Sequence, residues 1–472
     1  MSETPVSAGP RRVDLTRGHL LRGIVSLSWP IVASSLLQFL LGVVDTKMVG
    51  VLGPAAIAAV GTSRAAIMTF MTAMLAVSTG TQVLTGHFAG QRQPGMVAAV
   101  TRQAIIISVL LGLILGPLGW LLARPIMAAL GADEQVLAQA TAYTQAFFVG
   151  LIALMINFMV ASALNGVGDT LTPLYVLAGV NAGNILFDWL LIFGIGPFPR
   201  LGVAGAAWAV VISRTVGAIV LLWIVSCGRF AVHMPLRGSW RIDLGLWGKL
   251  FYIGTPNSLQ GFTRNFSFLA LLWILNRTEA GGLAVAGHTI ASQVQMIMIV
   301  VGLALMSAAM TAASQNMGAK APERAERSGW MLAGLSTALI SVVAGAVILL
   351  ARPLVSFFTS DQEAIRWGVV ALRILSAAQP FTAASMAFSG ALRGAGDTLS
   401  PLYASLIFVS GVAPALAYTF TIPLGLGPPG TWAGLAIATV FQAITMAAIF
   451  KRGKWKTIRI DQVAARRISE SS

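Results

Sequence analysis

Residues 166–175 read GVGDTLTPLY and residues 394–403 read GAGDTLSPLY, two near-identical blocks set 228 residues apart. The same step carries LARP at 122–125 onto LARP at 350–353, and Gly90 and Pro94 onto Gly318 and Pro322. One constant offset at three separate places means that the chain is a tandem duplication. Its halves run from about 16 to 230 and from 243 to 460, joined by the basic stretch RFAVHMPLRGSWRID at 229–243.

The medium in which those halves fold follows from composition. Of 472 residues, 56% are hydrophobic and only 10% are charged, a balance that suits a lipid bilayer rather than water. Charge-free runs such as 103–123, 135–168 and 329–351 reach the ~20 apolar residues that cross ~30 Å of hydrocarbon as a helix. They lack the two-residue alternation of a membrane barrel, so helices are the only backbone that satisfies its own hydrogen bonds there. Twelve spans are expected, at 23–47, 55–84, 98–122, 136–165, 172–196, 203–227, 246–274, 283–314, 328–350, 366–392, 399–421 and 431–450. The expected organisation is a cytoplasmic segment at 1–22, an N-lobe at 23–228, a basic cytoplasmic linker at 229–245, a C-lobe at 246–450 and a basic cytoplasmic tail at 451–472.

A net charge of +15 invites a nucleic-acid reading, which the placement of the charge argues against. About 21 of the 31 Lys and Arg residues fall on the side shared by both termini and the even-numbered connections, and about five on the other. This is the positive-inside bias, so both termini are expected in the cytoplasm, beside anionic headgroups, with no nucleic-acid partner. Cys227 stands alone, which excludes a disulfide framework and a thiolate metal site. The first twenty residues contain no apolar segment with a cleavage site, so no removable signal is expected.

Six helices per half make the repeats parallel, related by an axis along the membrane normal, with a cavity expected between them. On the blocks WPIVASSLLQFLLGVVDTKMVGVLG at 29–53, AAVG at 58–61, VAGH at 285–288 and the paired GDT-x-[ST]-P motifs, the chain resembles the multidrug and toxic compound extrusion family. The resemblance covers nearly the whole chain. It is similar to the DNA-damage-inducible-F branch, because helix seven reads TRNFSFL with Arg264 where another branch carries a glutamate, and Thr382 lies near the place of that branch's aspartate. The resemblance implies an all-α protein of twelve transmembrane helices in two homologous six-helix lobes around a V-shaped central cavity. It also implies an antiporter that exports amphiphilic organic compounds in exchange for H⁺ or Na⁺, without a cofactor, acting as a monomer in a bacterial inner membrane.

Charged side chains at lipid depth cost on the order of 2.5–3.5 kcal/mol on insertion scales, so each asks for a reason. In the first half the acidic ones are Asp45, near the outer end of helix 1, and Asp188 in NILFDWLLIFG of helix 5, one turn from Asn184 on the same face. A carboxylate and a carboxamide so placed can converge on a proton, a water or a small cation. In the resembled branch the matching positions form the cation site, which implies Asp45, Asn184 and Asp188 here. A structural reading stays open: Asp45 caps the next turn, and Asp188 pairs with Arg64 or Arg214. Pro30 removes a backbone hydrogen bond inside helix 1 and is a bending point or a static kink. Gln38, two turns before Asp45, lines the cavity or glues helices.

In the second half Arg264 either meets an anion or a carboxylate, or snorkels. His288, at the start of helix 8, either relays a proton or holds a hydrogen bond. Asp169 and Asp397 of the GDT blocks suit a helix start, with Pro173 and Pro401 in the first turn. Two other functions compete. A flippase for lipid-linked precursors would want several cavity arginines, of which Arg264, Arg64, Arg214 and Arg373 are candidates. An intramembrane enzyme would want a nucleophile with a base or clustered metal ligands, yet His19, His87, His233 and His288 are scattered.

Overall fold

A computed structural model describes residues 12–131, 133–228, 231–235 and 240–458, with the side chains of Thr69 and Ala73 excepted. The outer parts of the N-terminal segment and of the basic tail, and residues 229–230 and 236–239 of the basic linker, lie outside the described residues.

The described chain is helical: α1 (Leu20–Gly50), α2 (Pro54–Gly90), α3 (Pro94–Ala129), α4 (Glu134–Val149), α5 (Leu151–Val167), α6 (Leu171–Phe193) and α7 (Val203–Ser226) make the first half. The second holds α8 (Leu244–Leu275), α9 (Gly281–Gly318), α10 (Pro322–Leu349), α11 (Ala351–Ser356), α12 (Gln362–Gly394), α13 (Leu399–Ser405), α14 (Ala413–Thr421) and α15 (Pro428–Arg452). Among the described residues ten helical stretches are long and apolar enough to cross a membrane, and α4 with α5, bent by 54°, makes an eleventh. The twelfth is α8, 32 residues long and kept less apolar by Gln260, Arg264 and Asn265. Large apolar side chains such as Leu113, Ile114, Ile219 and Trp223 stand exposed on the outer faces, as lipid contact requires.

The helices run past their expected ends because polar first and last turns still satisfy a helical backbone; α2 continues six residues beyond 84 and α9 four beyond 314. The expected single span at 136–165 is broken at Gly150. A Cβ there would meet Val211 of α7 at 2.6 Å, so the glycine lets α7 approach where the chain turns. The expected span at 399–421 contains a π-helical segment, Leu406–Val412, between α13 and α14. The six-residue helix α11 had no counterpart among the expected spans.

The duplication is visible in local geometry. Thr172 donates from its backbone N–H (3.1 Å) and its hydroxyl (2.8 Å) to the Asp169 carboxylate. Ser400 makes the same two bonds to Asp397 at 3.1 and 2.7 Å, so both GDT aspartates start a helix by satisfying its free donors. Arg92 and Lys320, also 228 apart, both adopt left-handed backbone, at φ 59° and 57°. Each half has its own apolar core: Ala59, Met127, Ala140 and Ala207 centre one in the first, and Ala284, Val355, Leu372 and Trp432 one in the second.

Two compact units emerge, and their limits differ from the sequence halves. The first takes the described residues of Trp29–Thr255 together with those up to Leu15, and the second takes Thr16–Ser28 and the described residues from Pro256. Thus α1 and α8 each change units immediately before or at a proline, Pro30 and Pro256. The start of α8 is held in the first unit by close backbone approach: a Cβ on Gly80 would run into Leu250, and one on Gly254 into Ala76. In the second unit, Arg324 donates to the carbonyls of Arg17 (2.9 Å) and Gly18 (2.8 Å), just ahead of α1.

Candidate functional site: an acidic cluster in one half and a basic cavity in the other

The first unit gathers its few charged membrane-depth groups in one place. On α6, Asn181, Asn184 and Asp188 recur at three- and four-residue steps, so they share a face, and all three are buried. Opposite lies α1, tied to α6 by Asn181, whose amide donates to the Leu37 carbonyl at 3.1 Å. The Asp45 and Asp188 carboxyls come within hydrogen-bonding reach of each other. Neither oxygen of Asp188, nor either polar atom of the Asn184 side chain, has a hydrogen-bond partner.

The ion pair goes to the other carboxyl. Arg64 of α2 reaches Asp45 at 3.7 Å and donates to the Thr46 hydroxyl at 3.1 Å. Tyr143 of α4, a buried residue the sequence reading missed, lies beside the same guanidinium. Arg214 of α7 is buried and donates to Gln38 at 2.9 Å, while its backbone carbonyl accepts from Asn157 at 2.7 Å. Asp45, Asn184, Asp188 and Gln38 therefore fall on one region of the first unit, with Arg64 and Arg214 beside the carboxyls. Pro30 lies at the other end of α1, where that helix changes units.

Arg264 and His288 belong to a separate place. They line a cavity of about 430 Å³ inside the second unit, enclosed by α8, α9, α12, the π segment and α15. Arg393, which the sequence reading passed over, is the deepest cation there: it is 3% exposed, bonds to Gln260 and touches the Met306 sulfur at 3.5 Å. Its first-half counterpart is Asn165, so ALNG against ALRG inside the repeated block was the signal that could have found it. Likewise the 226-residue step from Pro30 to Pro256 carries Gln38 to Arg264. Arg373 is exposed and does not line this cavity, and Thr382 does.

Twelve membrane-length helices in two repeated halves, with ionisable groups held in their interior, define a polytopic membrane transporter. The family can be named as well: the sequence profile described as MatE matches residues 30–190 and 256–419, one segment in each half, and the chain belongs to that multidrug and toxic compound extrusion family. It is 27% identical to the probable multidrug resistance protein NorM of Thermotoga maritima over 448 residues, covering 93% of this chain and 94% of that one. A protein named FAD transporter from Shewanella oneidensis is 26% identical over 75% of this chain and 78% of its own length. Among solved structures, one described as the outward-facing conformation of a multidrug resistance MATE family transporter of the MOP superfamily superposes with a TM-score of 0.89. Its sequence identity is 23%, with 97% of this chain and all of that chain covered, and the likeness establishes the two-lobe, twelve-helix fold.

Proposed function

We propose that the protein is a secondary antiporter that exports amphiphilic organic compounds and is driven by cations bound at Asp45, Asn184 and Asp188. The observation that carries this reading is Asp188: a fully buried carboxylate with no donor of its own, facing a second carboxylate. Two carboxylates so close repel unless one proton lies between them, and a proton completes the hydrogen bond that both oxygens lack. Sharing of one proton is the arrangement that a facing pair of carboxyls favours, which makes H⁺ the coupling ion of this reading.

Coupling follows from differential binding, since a ligand shifts a conformational equilibrium only by its unequal affinity for the two states. A proton on Asp188 removes a buried charge, so α1 and α6 pack more closely around it and the space for substrate in that half shrinks. Pro30, which leaves a carbonyl of the preceding turn without its N–H partner, gives α1 its place to bend. The drug-resistance name of the Thermotoga relative supports export of foreign amphiphiles. The FAD name of the Shewanella relative indicates that the scaffold does not by itself dictate the charge of the cargo.

The test is efflux of a fluorescent amphiphile from proteoliposomes, first with an imposed proton gradient and then with a Na⁺ gradient alone. Export under the first and none under the second is expected; export under neither sinks the antiport reading. We also place both termini in the cytoplasm, on the inner-membrane side that the basic residues favour. Reporter fusions at residues 10 and 468 should give cytoplasmic signals only.

A further inference from the structure

The cavity of the second unit has a chemistry that the coupling reading leaves unused. Arg264 and Arg393 both face it, lie near enough to repel one another, and meet no carboxylate: neither makes an ion pair with any described residue. Among the described lining residues there is no Asp or Glu at all. What surrounds the two guanidiniums is neutral and polar, with Asn265, Ser292, Gln295, Gln379 and Gln442 among the lining residues, while Phe268, Ile299 and Phe408 supply apolar walls. His288 is buried, leans on Phe268 with ring centroids 6.1 Å apart, and has no partner for its Nδ1.

Paired cations at membrane depth are tolerated when a counter-charge compensates them, and here no described carboxylate does so. Guanidinium is also the group best matched to the paired oxygens of a carboxylate or phosphate, and the two arginines differ in a useful way. Arg393 is fixed by Gln260, whereas Arg264 is exposed to the cavity it lines and makes no hydrogen bond of its own. The π segment Leu406–Val412 forms part of the wall through Phe408 and Val409, and Ser410 there donates to the Thr263 carbonyl beside Arg264 at 3.2 Å. Such wide turns recur at functional sites because they redirect side chains and free backbone groups.

We infer that this cavity binds the anionic oxyacid group, phosphate or carboxylate, of a single amphiphilic molecule, with Arg264 and Arg393 gripping the oxygens and the phenylalanines holding the apolar body. The volume suits one small amphiphile, lying within the roughly 300–1,000 Å³ of ordinary ligand pockets. This inference rests on the transport reading for its meaning, and its test does not. The protein is reconstituted in nanodiscs of zwitterionic lipid with no gradient, and equilibrium binding of decyl phosphate is compared with that of decyl trimethylammonium. Decyl phosphate should bind at least tenfold more tightly, and Arg264→Gln should lower its affinity at least tenfold while leaving the ammonium probe unchanged. Arg393→Gln should do the same where it still elutes as a monodisperse protein, and Arg373→Gln, on the same helix but away from the cavity, should have no effect.

Native mass spectrometry of protein taken directly from cells separates the sources of such an anion. Retained anionic phospholipid that disappears in Arg264→Gln identifies a lipid headgroup as the natural occupant, and its absence together with decyl phosphate binding identifies a free solute. Equal affinity for the two probes, or anion binding untouched by Arg264→Gln, overturns the inference. Failure of gradient-driven efflux with anion binding intact would instead overturn only the antiport reading.

Discussion

The two halves share a scaffold and invert its charge. In the first, two carboxyls face each other with Arg64 and Arg214 at their edge; in the second, two arginines face a cavity that contains no acid. The inversion takes few substitutions: Gln38 becomes Arg264, Asn165 becomes Arg393, and Asp188 meets Leu416 at the 228-residue step. The local geometry of the repeated turns was kept on both sides, in the aspartate caps and the left-handed basic residues. Duplication thus leaves one copy free to change its chemistry while the shared packing keeps it folded.

The comparison can be broken at its strongest point first. Asp188→Asn and Asp45→Asn should each leave the protein in the membrane and cut gradient-driven efflux more than tenfold, because they leave the cluster without its titratable pair. The matching change in the other half, Leu416→Asn, should leave coupling in place; wild-type export by both aspartate variants would place the coupling elsewhere.

A smaller effect is expected of the bend between α4 and α5. Gly150→Ala should destabilise by about 1–3 kcal/mol through overpacking against Val211, while Ala378→Gly, at the equivalent place in the unbroken α12, should cost no more than roughly 1 kcal/mol. Thermal unfolding in detergent reads both. Pro30→Ala should insert normally and slow export several-fold, as measured by initial rates in proteoliposomes. Smallest and most symmetric, Asp169→Ala and Asp397→Ala should each cost about 1 kcal/mol, because they remove the same helix cap from either half. Unequal shifts in melting temperature would mean that one of the caps has acquired a second role.

Much of this was readable in the chain. Hydropathy and the repeat locate every long helix, and the cost of a buried charge points to Asp45 and Asp188 without any structure. Asn184 follows from the spacing on one helix face. What escaped was set by tertiary contact. The lack of room for a side chain at Gly150 comes from Val211, a residue 61 positions further on. Tyr143 joins the acidic cluster only because α4 packs near Arg64, and the π segment has no distinguishing composition. Arg393 was missed for another reason: it sits beside a turn motif at a helix end, where an arginine ordinarily reaches for the membrane surface, and only the mismatch with Asn165 sets it apart.

The exchange of helix starts carries a historical consequence. Residues 244–255 belong by packing to the first unit and residues 16–28 to the second, although each is encoded with the opposite half. An ancestor consisting of one half would have left the surface around its equivalents of Ala76 and Gly80 bare, unless a second copy supplied the missing turns. A half expressed alone is therefore expected to pair with a second copy by exchanging these helix starts, which its oligomeric state in detergent would read.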